Sequence, residues 1–331
     1  LVHPIWNDYP VIQSALSDVK KIIKEDLRIS HPQVKEKINE YLDAPGKYVR
    51  AGLTLLFAQA VDGQIKEAKL YFAAGVEVLH LATLIHDDVI DEADSRRGIA
   101  SIHKSFSNRI AIYAGDYLLA YSNRLMAKGL EAMGALREEK DRPFDERIIE
   151  RILAGELAQL LNQYEYSMTM KSYLKQIKGK TAFLFALACQ LGAANLPANQ
   201  KNIRYAFNIG QAIGMAFQLS DDLLDYQVSK EAMGKPSLQD VQNGIYTAPL
   251  LLAMREDASL LSLLKSQEKE SWTESKLQEL QSKVEASKAY RRTQELILNY
   301  LKKSQKFLIK MELVKPMDLD DFLHDLMERK F

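Results

Sequence analysis

Residues 68–92 read AKLYFAAGVEVLHLATLIHDDVIDE. Apolar side chains fall on nearly every face of a helix drawn through this stretch, and such a helix belongs inside a bundle. Residues 201–226 have the same character, and both segments end in a cluster of acids. Elsewhere apolar residues recur at helical spacing, while alternating β-branched runs between turn signals are hard to find, so the fold reads as all-α. Breakers at Pro45-Gly46, around Pro143, near Pro197 and across Gly234-Lys235-Pro236 divide the chain into roughly ten helices. None of these breaks has the composition of a linker, and no repeat at solenoid periods is visible, so one helical domain over residues 1–331 is expected. Residues 265–310, rich in Lys, Glu, Gln and Ser, read as the solvated faces of outer helices.

The composition, 47% apolar and 27% charged, is that of a globular protein. Lys plus Arg and Asp plus Glu both number 44, so no overall field draws the chain to nucleic acid or to an anionic membrane, and any polyanion site must be local. The single Cys189 lies in FALACQLG and reads as a small buried hydrophobe, not a nucleophile. The N-terminal residues LVHPIWNDYP lack a basic segment leading into an apolar one. No stretch reaches the roughly 18 apolar residues of a spanning helix. A cytoplasmic location without a transmembrane segment is therefore expected. No basic amphipathic helix argues for more than a weak peripheral contact with a membrane.

The chemistry concentrates where the apolar helices end. In HDDVIDEADSRRG, Asp87 and Asp91 stand four apart and share a helix face, with Asp88 beside them. Acids on a helix end are common on surfaces, and one DDxxD would carry little weight. FQLSDDLLDY repeats the pattern with Asp221, Asp222 and Asp225, again at the end of an apolar helix. Like charges so placed repel, a cation relieves them, and oxygen-only ligands suit magnesium. Magnesium usually shares its ligands with substrate phosphates, so two such clusters imply a bound diphosphate. Basic residues stand in the neighbouring segments: Lys47 and Arg50 around the Pro45-Gly46 turn, Arg96 and Arg97 after the first cluster, Lys180 in IKGKTAFLF, and Lys235 after the second. Singly each reads as a solvent-exposed side chain; as a set they fit phosphate recognition.

From about Gly46 to Pro249 the chain resembles the trans-type prenyl diphosphate synthases, the family of farnesyl, geranylgeranyl and longer-chain polyprenyl synthases. HDDVIDEADSRRG, GDYLLA at Gly115–Ala120, GELAQ at Gly155–Gln159, Lys180-Thr181, FQLSDDLLD and Gly234-Lys235-Pro236 with Asp240 carry the resemblance. It implies a single helical bundle around a deep central cavity, commonly a homodimer, with the acid motifs facing each other across the mouth. By the same resemblance Asp87, Asp91 and Asp221 are the main magnesium ligands, with Asp88, Asp222 and Asp225 nearby or acting through water, and three ions are held with substrate. Arg96, Lys180 and Lys235 would grip the allylic diphosphate. Lys47, Arg50, His80 and Arg97 would hold isopentenyl diphosphate, and Thr181 and Gln218 would line the reaction centre. The implied reaction ionises the allylic diphosphate, adds the isopentenyl double bond to the cation, and loses a proton to the released diphosphate. A satisfied core histidine is the plainer reading of His80.

An isoprene unit spans roughly one helical turn of 5.4 Å, so side chains above Asp87 bear on product length. Ala82, Thr83, Leu79 and Val78 include no aromatic stopper, unlike short-chain members of the family, and this points to a long-chain product. The floor could instead come from helices holding Tyr117 or Leu153. Three positions depart from the family pattern: GKRxRP is Gly46-Lys47-Tyr48-Val49-Arg50-Ala51 here, the glycine before the later Asp is Leu238, and the lysine after Gly244 is Ile245. The first departure loses a cation near isopentenyl diphosphate and the last loses one near the second motif. A class I terpene cyclase usually pairs DDxxD with a mixed Asn, Ser or Thr, and Glu motif, which is absent here. A non-catalytic or partner-dependent subunit remains the other alternative, and such subunits commonly lose acids that this chain retains.

Overall fold

The computed structural model describes residues 2–135, 147–227, 238–267 and 272–327. Pro143 and the Gly234-Lys235-Pro236 segment, including the expected diphosphate ligand Lys235, lie outside the described residues. The chain divides into two compact units: residues 1–145, 187–207 and 310–322, and residues 146–186, 208–309 and 323–331.

The first unit holds α1 (Pro10–Asp26), α2 (Pro32–Asp43), α3 (Val49–Asp62) and α4 (Glu67–Ile90). It continues through β1 (Ser95–Arg96), β2 (Ile99–Ala100), α5 (Ile102–Ser105) and α6 (Asn108–Met133). As the apolar periphery of 68–92 dictates, α4 is the core helix, packed most extensively against α6 and also against α3 and α1. Phe72, Val76, Val78, Leu79 and Ala82 are sealed from solvent, and Ser122 on α6 donates to the Gly75 carbonyl at 2.8 Å. By length and mean hydropathy, 1.4 over 18 residues, α4 passes the same test as a membrane span, as the buried core helix of a globular protein can. Its apolar faces are used inside the protein, since 78% of that window is buried.

Lys69, on the first turn of α4, is fully buried, and its ammonium donates to the carbonyls of Leu191 at 3.0 Å, Gly192 at 2.9 Å and Ala194. These carbonyls end α9 (Phe183–Ala193), so a charge inside the core is satisfied by the negative pole of a helix.

The second unit begins with α7 (Ile148–Leu161) and α8 (Met170–Ile177), which runs through a π-turn at Lys178–Ala182 into α9. The long α10 (Gln200–Gln227) follows, then α11 (Gln239–Gln242), α12 (Ala248–Ala253), α13 (Ser259–Ser266), α14 (Glu274–Ala286) and α15 (Ala289–Leu308). Finally α16 (Asp320–Met327) closes the described chain. The core of this unit gathers Tyr173, Leu219, Tyr226, Leu238, Tyr246 and Leu250–Ala253. The all-α expectation holds, apart from a β1–β2 hairpin just after the first acid cluster, pairing Ser95 with Ala100 and Arg96 with Ile99. Its two turn residues, Arg97 and Gly98, have φ of 51° and 82°, the left-handed conformations that a tight hairpin demands.

Replacing Lys69→Met keeps the stem in the core but strips three buried carbonyls of their donor. Unfolding in denaturant should show a loss of about 2–3 kcal/mol at unchanged m-value.

Candidate active site

In the first unit a set of cations converges around the N-terminus of α3. Tyr48 opens that helix with φ of 49°, held there by its hydroxyl donating to the Leu42 carbonyl at 2.6 Å. The neighbouring Lys47 carbonyl accepts from Trp6 Nε1 at 2.6 Å, so the turn is pinned on both sides. Arg50, in the first turn of α3, directs Nη1 at His80 Nε2 at 3.0 Å. Because a guanidinium only donates, the imidazole nitrogen accepts, and burial with Arg50, Arg97 and Arg96 nearby pushes the His80 pKa well below the ordinary value. His80, expected to touch a diphosphate itself, is engaged as a neutral support for Arg50. Arg97 lies against Gly46, where a Cβ would meet its Nη1 unless the guanidinium shifted.

Glu77, one turn before His80 on α4, is 8% exposed and lies in the field of Arg50, Arg97 and Lys20. Burial raises its pKa, and the guanidiniums and the Ala51 N–H oppose the rise. It is the counter-charge of the cluster, and sequence reasoning passed over it. An acid on an otherwise apolar helix, three residues before a histidine, was the available signal.

The first acid cluster closes α4. Asp91 is the C-cap, its N–H donating to the Asp87 carbonyl at 2.8 Å, and both side chains reach solvent. Asp88 is 1% exposed and turns into the protein. Its Oδ1 receives Arg96 Nε at 2.6 Å and its Oδ2 receives the Tyr41 hydroxyl at 2.9 Å. The metal-ligand expectation at Asp88 therefore meets a carboxylate with both oxygens already engaged by protein donors. Acids at a helix C-terminus oppose the macrodipole, so α4 carries its cluster at a cost.

The second cluster closes α10 in the other unit. Asp222 is 3% exposed and accepts from Gln218 Nε2 at 2.8 Å and from the Tyr173 hydroxyl. Gln218 in turn receives the Thr181 hydroxyl at 2.6 Å, so the two residues expected to line the reaction centre do meet. The π-turn sets Thr181 and Lys180, and Lys180 pairs with Glu156 at 3.0 Å. That turn packs on the backbone of Gly155, where a Cβ would overlap the Lys180 amide, which accounts for the Gly-Glu pair of GELAQ. Glu156 had no role in the sequence reading beyond that motif.

Asp225 is met by the backbone N–H groups of Leu238, Gln239 and Asp240 at the start of α11. Burial still raises its pKa, and its Oδ2 is buried without a hydrogen-bond partner among the described residues. Burial and the neighbouring Asp222 and Asp225 push Asp240 well above the carboxylate range, with Lys180 the charge that opposes them. Asp222 is raised mainly by burial and further by Asp221 and Asp225. Four acids thus repel one another, and the positive charge of Lys180 offsets part of that repulsion at Asp240.

Among the described residues no three acid, imidazole or thiol groups converge as a ready-made metal cage. The donor set fits magnesium, which takes one or two carboxylates and completes its shell with water and phosphate oxygens. The buried Asp225 Oδ2, without a hydrogen-bond partner among the described residues, is an oxygen that such an ion would satisfy.

Val78, Leu79, Ala82 and Thr83 are all buried in the packing of α4, and the Thr83 hydroxyl returns to the His80 carbonyl at 2.8 Å. Tyr117 accepts the Arg28 N–H at 3.0 Å, and Leu153 is partly exposed. Leu238, where the resemblance leads one to expect glycine, has φ of 58° with its side chain fully buried. The chain accepts left-handed strain there in exchange for core packing.

The family model described as Polyprenyl synthetase matches residues 31–284. Heptaprenyl diphosphate synthase component 2 of Bacillus subtilis is 34% identical over 285 residues, covering 85% of this chain and 80% of that protein. A decaprenyl diphosphate synthase structure from Rhodobacter capsulatus superposes with a TM-score of 0.86 at 29% identity, over 98% of this chain and 99% of the other. The geranylgeranyl pyrophosphate synthase of Lactobacillus brevis superposes with a TM-score of 0.86 at 30% identity, over 98% and 99%.

Two outcomes are expected here. Leu238→Gly relieves the backbone but removes a buried leucine worth about 1.5–3 kcal/mol, so denaturant unfolding should show a net loss. Because the His80 pKa already lies below 6.5, its charge is constant from pH 6.5 upward. The shape of the kcat/KM profile of His80→Gln between pH 6.5 and 8 should then match that of the parent, with only its height reduced.

Proposed function

The chain belongs to the polyprenyl synthetase family and is a trans-prenyltransferase, and on that footing we propose that it condenses isopentenyl diphosphate head to tail with an allylic prenyl diphosphate to build a long-chain product. The observation that carries this reading is the pairing of two DDxxD motifs with separate sets of cations. Arg50 and Arg97 gather with Lys47 around the start of α3, while Arg96 and Lys180 stand beside the acid motifs. We assign the first set to the diphosphate of isopentenyl diphosphate and the second, with Lys235, to the allylic diphosphate. Residues 1–331 act together as one catalytic domain in this reading.

Asp87, Asp91 and Asp221 would hold magnesium, three ions with substrate bound, with Asp88, Asp222 and Asp225 nearby or acting through water, and the metal would supply positive charge to the departing diphosphate. Arg96 and Lys180 add fixed positive charge at the same oxygens, so the allylic C–O bond breaks with its electron pair leaving on the diphosphate. Thr181 and Gln218, locked to each other and to Asp222, present fixed dipoles toward the developing cation. Lys47, Arg50 and Arg97 orient the isopentenyl double bond for attack, after which the released diphosphate takes the proton. The absence of an aromatic at Ala82, Thr83, Leu79 and Val78 supports a long product.

A second reading has a specific observation behind it. A relative is named component 2 of a heptaprenyl synthase, and Ile112 and Tyr113 on α6 are exposed apolar side chains. In that reading the chain is the catalytic component of a two-chain enzyme instead of a homodimer.

Purified protein incubated with labelled isopentenyl diphosphate, farnesyl diphosphate and magnesium should give long prenyl products that a chelator abolishes. Asp87→Asn and Asp221→Asn should each lower kcat by on the order of 10²–10³. Products stopping at four units would remove the chain-length claim. Absence of condensation with any allylic primer by the isolated chain would favour the two-chain reading.

A further inference from the structure

In both acid motifs the second aspartate is treated alike. Asp88 lies between the Tyr41 hydroxyl and Arg96 Nε, and Asp222 between the Tyr173 hydroxyl and Gln218 Nε2. The tyrosines come from unrelated places, Tyr41 from α2, 47 residues before its aspartate, and Tyr173 from α8, 49 residues before. Each arrangement lies within its own unit of the chain.

Helix geometry separates the roles. Successive residues are turned by about 100°, so the first and fourth-following acids share a face while the second points about a quarter-turn away. The second acid cannot serve the same ion directly and keep these protein partners. We propose that Tyr41 and Tyr173 are positioning residues that act through Asp88 and Asp222, fixing the orientation of the flanking acids and of the substrate-facing groups beside them. This inference rests on the magnesium and diphosphate reading given above.

At the first motif the tether is directional. The Tyr41 oxygen accepts the Ile102 N–H at 3.2 Å, so its single proton goes to Asp88. Tyr41 thereby ties the end of α4 to the segment after the hairpin. Asp88 holds Arg96 by Nε, and a guanidinium held there keeps its two terminal nitrogens as a fork that can meet a phosphate. At the second motif the tether continues outward: Asp222 fixes the Gln218 amide, and Gln218 fixes the Thr181 hydroxyl beside Lys180. In both places a neutral donor orients an acid without adding a cation that would compete with magnesium for the neighbouring carboxylates.

Tyr41→Phe and Tyr173→Phe remove one oxygen each and leave the buried rings in place. Binding of magnesium pyrophosphate to the full chain is measured by titration calorimetry, with thermal unfolding and steady-state kinetics alongside. Each variant should bind magnesium pyrophosphate about 5–30-fold more weakly, a share of the loss of one charge-assisted hydrogen bond. Tyr41→Phe should raise KM for the allylic substrate by a larger factor than it changes KM for isopentenyl diphosphate, because Arg96 depends on Asp88. Tyr41→Phe combined with Asp88→Asn should cost less than the product of the two single losses, as expected of residues that share one network. Unchanged binding with a lowered unfolding temperature would make the tyrosines structural and overturn the proposal. Multiplicative losses from Tyr41→Phe and Asp88→Asn would show that Tyr41 does not act through Asp88 and overturn it equally. If the parent itself fails to bind magnesium pyrophosphate, the diphosphate reading fails first, and with it this inference.

Discussion

A helix that is apolar on every face can carry charge only where partners are supplied for it, and this constraint organises the chemistry of α4. Its burial leaves Lys69, Glu77 and Asp88 deep in the protein and His80 half-buried. The answering groups are helix-end carbonyls for Lys69, the Ala51 N–H and the field of Arg50 and Arg97 for Glu77, the Arg50 guanidinium for His80, and a tyrosine and Arg96 for Asp88. A buried charge without such a partner would cost several kcal/mol. The cations that suit a diphosphate are therefore held by the same contacts that make the core helix tolerable.

The second acid cluster solves a harder problem. Beyond the effect of burial, Asp221 and Asp225 raise the pKa of Asp222, and all three raise that of Asp240, while Lys180 is shared with Glu156. Hydrogen bonds from Tyr173, Gln218 and the start of α11 relieve part of the repulsion. The remainder is stored at the site, and in the proposed reading a divalent ion arriving with a diphosphate would remove it. Destabilising charge placed where a ligand will neutralise it favours the liganded state over the empty one.

The departures from the family pattern fall on backbone geometry as much as on charge. Tyr48 and Leu238 both stand in left-handed conformations at the starts of helices, where a residue other than glycine is disfavoured. Each compensates with its side chain, Tyr48 through a hydrogen bond to Leu42 and Leu238 through complete burial. The same two turns carry Lys47 and Asp240, whose backbone the compensation holds in place.

Much of this was legible along the chain. Apolar residues on every face announced α4 and α10 to within a residue or two, and the i, i+4 spacing of Asp87 with Asp91 and of Asp221 with Asp225 announced the acid clusters. These are local patterns, written within a few turns of one helix. The partners were not local. That Tyr41 answers Asp88, Tyr173 answers Asp222, Glu77 sits among the arginines and His80 supports Arg50 depends on contacts across tens of residues, for which spacing holds no signal. The sequence determined which residue types stand near the chemistry; only the tertiary structure decided which carboxylate of each motif turns inward, because that depends on where another helix delivers a hydroxyl.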